Sequence, residues 1–434
     1  MKGTALSLSA LIASIILLIS GNAFLMTLLG LRLSIEGFSA SLIGWILVFY
    51  SVGFVLGTLY AGTIIQRVGH IRAFAVFAAL LAVAILLHPL AVQAGLWGLL
   101  RVLSGFVMAG LMIVMESWFS SKADNQNRAS LFAIYQIVFF LSTAGGQVLI
   151  RVGDPAGFAP FTLAAVLVIL ALIPLSLTRT QSPVIEQGSR MSLANLYRTS
   201  PVGTLGALTA GLLISAFYTM GPVYAERIGL DLGQISNFMA AAIITAMVLA
   251  WPVGRFCDHF NRYQVLQMAA AAAAICSLGA ALFGGFSPVF LILAVGLYMG
   301  ITAALYPIAV AITNDLMDSH RITAASTALL LSYGLGSCVG PVLSAFSMDF
   351  FGPGGLFISN ALVLTALVLF LVYGPGRTPK EVPQKTGYYT VSPELALGLQ
   401  EIDPRNPDFE SGEEDSDREE TGEPAEDASR ASSG

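Results

Sequence analysis

Gly62-Thr63-Ile64-Ile65-Gln66-Arg67-Val68-Gly69-His70-Ile71-Arg72 forms a short polar break after the second long apolar stretch of the chain. It returns after the eighth as Gly254-Arg255-Phe256-Cys257-Asp258-His259-Phe260-Asn261-Arg262. Gly62 and Gly254 stand 192 positions apart. Tyr298-Met299-Gly300 corresponds to Val107-Met108-Ala109, and Gly340-Pro341 to Gly146-Gln147, at nearly the same offset. One bundle written twice is therefore expected, and a duplicated membrane bundle places its binding site between the copies.

Composition agrees. The 434 residues are 56% hydrophobic and 11% charged, with mean hydropathy +0.78, outside the range of soluble domains. Twelve apolar stretches fall at about 6–30, 42–65, 73–92, 96–118, 131–150, 159–178, 201–225, 235–254, 264–286, 289–313, 323–346 and 355–373. Each is about 20 residues, enough at 1.5 Å per residue to cross about 30 Å of hydrocarbon. Helices satisfy their own backbone there, and the two-residue alternation of barrel strands is missing. The expected fold is an all-α integral membrane protein, twelve transmembrane helices in two six-helix pseudo-symmetric bundles. Its parts are residues 1–178, a cytoplasmic linker 179–200, residues 201–373, and a disordered acidic tail 374–434. The first stretch is too long for a cleaved signal and is expected to be retained.

Charge sets the orientation. Lys2, Arg67, Arg72, Lys122, Arg128, Arg179, Arg190, Arg198, Arg255, Arg262 and Arg321 share one set of loops, whereas Arg32, Arg151 and Arg227 occupy the other. The basic set belongs in the cytoplasm, with both termini. Residues 1–373 carry +4 and the tail −9, which together give the net −5. The acidity thus describes the tail, and nothing favours nucleic-acid binding. The tail is too polar to fold alone; it is either a solvated end or, through Tyr388, Tyr389 and the acidic run, a partner-binding segment. Cys257, Cys276 and Cys338 have no paired spacing and imply neither disulfide nor metal.

Small residues recur every fourth position at Gly53, Gly57 and Ala61, at Ala242, Ala246, Ala250 and Gly254, and at Ser332, Gly336, Gly340 and Ser344, with Ser142 and Gly146 in the fifth stretch. Such stripes let helix backbones approach closely. Only Arg101 and Glu116 are charged within the marked stretches, both in the fourth. Charges in hydrocarbon are costly and normally face a cavity. Helical spacing puts the two within about 60° of one face but about 22 Å apart, too far to pair. Arg101 suits an anionic group or a nearby proton site, or packs against backbone carbonyls. Glu116 is either a proton carrier or half of a salt bridge with Arg67 or Arg72. His88, before Pro89, is expected at the interface rather than in a relay.

The two loops resemble the G-x-x-x-D-R-x-G-R signature of the major facilitator superfamily, and Arg101-Val102-Leu103-Ser104-Gly105 its fourth-span motif. Glu116-Ser117-Trp118, Asn127-Arg128, Trp251-Pro252-Val253-Gly254-Arg255, Leu305-Tyr306-Pro307, Asn314-Asp315 and Leu329-Leu330-Leu331-Ser332-Tyr333-Gly334 resemble more narrowly its YcaD-like bacterial branch. The resemblance covers about residues 5–373. It implies rocking alternating access, spans 1, 4, 7 and 10 around a central cavity, and spans 2, 5, 8 and 11 between the halves. Gln66 and His70 depart from the first signature, Asn261 from the second, so the inward gate should lean on the second half.

On that layout the cavity candidates are Asn22, Arg101, Glu116, Gln136, Tyr218, Tyr298 and Tyr306, with Thr219, Thr302 and Tyr135 beside them; hydroxylated rings suit a small organic solute. The gate candidates are Gly62, Arg67, Gly69, Arg72, Gly254, Asp258, Arg262 and Asp315, where Asp258, Arg262 and Asp315 could pair in one state and part in the other. The bland reading makes the arginines topology anchors. No Walker loop, HExxH or Ser/His/Asp set is present, so neither an enzyme nor a cofactor is expected. The expected function is proton-linked transport of a small organic solute across a bacterial inner membrane, export ahead of uptake, by a monomer. A uniporter and a non-transporting sensor or scaffold acting through the tail are the alternatives.

Overall fold

The computed structural model describes residues 2–120, 128–176, 191–285, 287–317 and 321–374. The acidic tail, most of the linker and the Asn127 motif position lie outside these. Among the described residues the regular structure is helical: α1 (Lys2–Ile35), α2 (Ala40–Val68), α3 (His70–Leu87), α4 (Ala94–Ser120), α5 (Arg128–Val148), α6 (Ala159–Leu170), α7 (Leu172–Ser176), α8 (Leu193–Thr199), α9 (Pro201–Arg227), α10 (Leu232–His259), α11 (Arg262–Phe283), α12 (Pro288–Asp315), α13 (Ile322–Phe351) and α14 (Gly355–Tyr373). Eleven of these cross by length and apolarity. The sixth crossing is divided into α6 and α7, because Pro174 has no N–H to offer the Leu170 carbonyl and the helix breaks at Ala171.

Helix ends follow local chemistry. Ser39 caps α2 by accepting from the Leu42 amide, and Asp231 with Gln234 makes a reciprocal capping box on α10. Gly69, at φ +87°, ends α2 and starts α3 in a single residue. Only glycine takes that conformation cheaply, so the first signature loop is a sharp corner between two rods.

Helices α1–α7 form one lobe and α9–α14 the other. Their duplication shows in side-chain detail: Ser20 Oγ on α1 donates to the Ser142 carbonyl on α5 (2.9 Å), and Ser215 Oγ on α9 donates to the Ser337 carbonyl on α13 (2.8 Å). The small-residue stripes pack largely within a lobe. A Cβ on Gly53 would lie 2.0 Å from the Val102 carbonyl oxygen of α4, and one on Gly336 2.0 Å from that of Leu208 on α9. Between the lobes, α2 meets α13 where Gly44 abuts Pro341 and Ala345.

One expectation changes here: Tyr298 and Thr302 are fully buried in the second lobe, with the Tyr298 ring edge-on to Phe357 of α14, so their face of α12 turns toward its own lobe. His88 is fully buried, with Nδ1 2.6 Å from the Ala84 carbonyl oxygen and its ring edge-on to Trp97. The turn after α3 is held by Trp97 Nε1, which donates to the carbonyls of His88 and Ala91. Arg262 and Asp315 are paired, and they join α11 to α12 within the second lobe.

Candidate substrate cavity and gates

A cavity of about 120 Å³ lies between the lobes. The first lobe contributes Ile19, Asn22, Ala23, Met26 and Thr27 from α1, Leu47, Tyr50, Ser51 and Phe54 from α2, Met108 and Met112 from α4, and Phe139, Thr143 and Gln147 from α5. The second contributes Ser215, Tyr218 and Thr219 from α9, and Tyr333 and Ser337 from α13. Among the described residues no charged side chain lines it. Hydroxyls, amides, rings and thioethers do, a surface suited to a solute with apolar and polar parts.

One charge stands directly behind this wall. Arg101 is fully buried on α4, its Nη1 3.6 Å from Met26 Sδ and its guanidinium carbon 4.6 Å from the centre of the Tyr50 ring. Its Nε and Nη2 have no hydrogen-bond partner. Asn22 donates to Tyr50 Oη at 3.4 Å, and its Oδ1 is also unpartnered. Arg101 takes no part in the ion pairs seen among the described residues, such as Arg32–Glu36, Arg227–Asp349 and Arg262–Asp315.

The other candidates scatter. Glu116 is fully buried on α4, one turn beyond Met112 toward the basic loops, and Tyr135 Oη donates to its Oε1 at 3.4 Å. Gln136 is buried on α5, two turns from Thr143 toward the same end, and outside the cavity lining. Tyr306 backs the wall, edge-on to Tyr333 at 5.5 Å. Asn22 and Tyr218 border the cavity, while Tyr298 stays within its lobe.

At the basic-loop end, Arg67, Arg72 and Asp258 are exposed, Gly62 has open space around it, and Gly254 is buried. His70 packs on Trp118 (ring centres 5.8 Å apart), whereas its counterpart Arg262 holds Asp315 at 2.8 and 2.7 Å. Each of these contacts stays within one lobe.

The opposite end carries contacts between lobes that sequence reasoning missed. Asp349, at the end of α13, accepts from the Ala40 and Ser41 amides that open α2 (2.9 and 2.8 Å). Arg227 reaches the Phe38 carbonyl (3.0 Å) and approaches Asp349 at 3.8 Å. Ser34 Oγ donates to Glu226 at 2.5 Å, and Arg151 donates to Ser236 and Asn237. A carboxylate on free helix-start amides meets both their unmade hydrogen bonds and the positive end of the helix dipole. The clue in the sequence was the charged set at this end, Arg151, Glu226, Arg227 and Asp349, beside helix starts with free amides.

The Major Facilitator Superfamily model matches residues 7–302 and 280–400. The chain belongs to this superfamily. It is a multi-pass membrane transporter with a small-molecule substrate, in a family of carriers rather than enzymes. It is 29% identical over 376 residues to the "Uncharacterized MFS-type transporter YcaD" of Escherichia coli O6:K15:H31 (strain 536 / UPEC), covering 86% of this chain and 97% of that protein. The same protein from Escherichia coli (strain K12 / DH10B) matches equally. Among solved structures, the nucleoside transporter NupG superposes with TM-score 0.74 at 13% identity, over 86% of this chain and 100% of that one. The D-xylose-proton symporter superposes with TM-score 0.65 at 14% identity, over 88% and 98%. At such identities these two likenesses speak for the fold alone.

Proposed function

We propose that this chain is a secondary active transporter that moves a small organic solute across the bacterial inner membrane by alternating access, coupled to protons and running toward export. The observation that carries the reading is the cavity between lobes whose described polar cross-contacts gather at one end. With the basic loops cytoplasmic, both termini face inward, the Asp349 cluster is the outer gate, and this is a state with its outer gate shut. Residues 1–178 and 201–373 are then the two moving halves, joined by the 179–200 linker, with the tail beyond residue 374 left in the cytoplasm. The neutral lining favours an organic solute over a metal ion. Glu116, buried one turn from the cavity and held by Tyr135, supplies a carboxyl for coupling. Gating through Arg67, Arg72, Asp258 and the Arg262–Asp315 pair is the matching role for the signature loops.

The test uses vesicles of defined sidedness. Ser337→Cys, on the cavity wall, should react with an impermeant maleimide from the cytoplasmic side, as should Cys at the exposed loop positions, Arg67→Cys and Asp258→Cys. Labels on Arg67→Cys and Asp258→Cys from opposite faces would sink the topology. Solutes that raise the melting temperature of purified protein then enter flux assays: a pH gradient alone should concentrate them, and Glu116→Gln should abolish this while sparing downhill movement. Downhill flux that never concentrates would make the protein a uniporter. Removing residues 380–434 should leave a carrier's flux intact, whereas a protein without flux whose cellular phenotype vanishes on that deletion would be the scaffold.

A further inference from the structure

The cavity has neutral walls and one hidden cation. Burying a guanidinium without a counter-charge is costly, and proteins rarely leave such a group without hydrogen-bond partners. Here Nε and Nη2 of Arg101 are both unmatched, and the two groups touching it, the Met26 thioether and the Tyr50 ring, are themselves cavity wall. Thioether and phenol side chains turn aside easily, because each swings about a few single bonds. Asn22, bonded to the same Tyr50 hydroxyl, leaves an acceptor oxygen unmatched. Two unused donors with positive charge, just behind the wall, and one unused neutral acceptor, on a wall residue, therefore meet around Tyr50 at one corner of the cavity. The remaining first-lobe wall includes Phe54, Met108, Met112 and Phe139, all apolar.

We infer that the transported solute is an organic acid whose carboxylate docks on Arg101, whose neighbouring hydroxyl or amide N–H donates to Asn22, and whose apolar body lies along Phe54, Met108, Met112 and Phe139. This rests on the cavity being the transport site. The acid moves Met26 and Tyr50 aside and takes up the Arg101 fork with two parallel hydrogen bonds. A cationic solute would meet repulsion here, and a neutral one would leave the guanidinium unmatched. The inference thus separates acids from amines and amides of the same size.

Binding to the full-length protein, measured by calorimetry, decides it without any transport step. Mandelate carries a carboxylate beside a hydroxyl on a phenyl body; mandelamide is its neutral partner and 2-amino-1-phenylethanol its cationic one. Mandelate should bind saturably and about tenfold to a hundredfold more tightly than either, the range for one lost charge-assisted hydrogen bond. Arg101→Gln should remove that preference, Arg101→Lys should keep part of it, and Asn22→Ala should weaken mandelate while leaving phenylacetate unchanged. Equal binding of the three probes, tighter binding of the amine, or full mandelate affinity in Arg101→Gln would overturn the proposal. Should Arg101→Gln fail to fold, the wild-type order among the three probes still decides. An absence of flux with mandelate binding intact would remove the transport reading and leave the anion site standing.

Discussion

Arg101 and Arg262 are both almost wholly buried arginines, one in each lobe, and their surroundings differ in one respect. Arg262 meets the two oxygens of Asp315 and the Ala311 carbonyl. Arg101 meets a thioether and the face of a ring. The first charge is balanced inside the protein, so it fastens α11 to α12; the second is balanced by nothing the described chain supplies. Buried charge can thus serve as a rivet or as a receptor, and the counter-charge tells which.

The contrast breaks most visibly at the rivet. Asp315→Asn leaves Arg262 uncompensated and should cost about 3–5 kcal/mol, the range for removing one partner of a buried pair; thermal unfolding in detergent reads it. Arg101→Gln should act with the opposite sign, stabilising the empty protein by about 1–3 kcal/mol as an unmatched buried group disappears. A fall in melting temperature for Arg101→Gln would show that its charge is satisfied within the fold. Next come the glycines of α2. Gly53→Ala forces α2 from α4 and should cost about 1–3 kcal/mol, whereas Gly62→Ala meets nothing within 4 Å and should gain up to about 1 kcal/mol of helix preference. The smallest effect belongs to Asp349→Asn, about 0.3–1 kcal/mol of charge–dipole energy. It is expected to tilt a balanced equilibrium, seen as faster maleimide labelling of Ser337→Cys from the outer side.

The repeat and the twelve crossings were legible because each is written in local spacing: a loop pattern that returns, and a run long enough to cross. Asn22 and Tyr298 were not separable in the same way. Both are polar residues within apolar helices, yet one borders the cavity and the other packs beside Phe357. In a membrane the interior of a lobe and the lipid around it are equally apolar, so hydrophobic periodicity does not say which face a helix turns where. Asp349 capping α2 was illegible for another reason, since it joins residues more than 300 positions apart. The matched Ser20 and Ser215 bonds carried a usable signal, the same residue types recurring at one offset in both halves.

Helices α9, α10, α12 and α13 each contain an internal proline: Pro222, Pro252, Pro307 and Pro341. Helices α1 to α5 have none. Each proline deletes one rung of its helix ladder, and at Pro341 the released Ser337 oxygen is taken up by Ser215 on the neighbouring helix. The mechanical result is a second half jointed at four places, against a first half whose first five crossings run without an internal proline and whose sixth is broken near Pro174. Turnover would then distort the two partners unequally, with more of the bending in the second lobe.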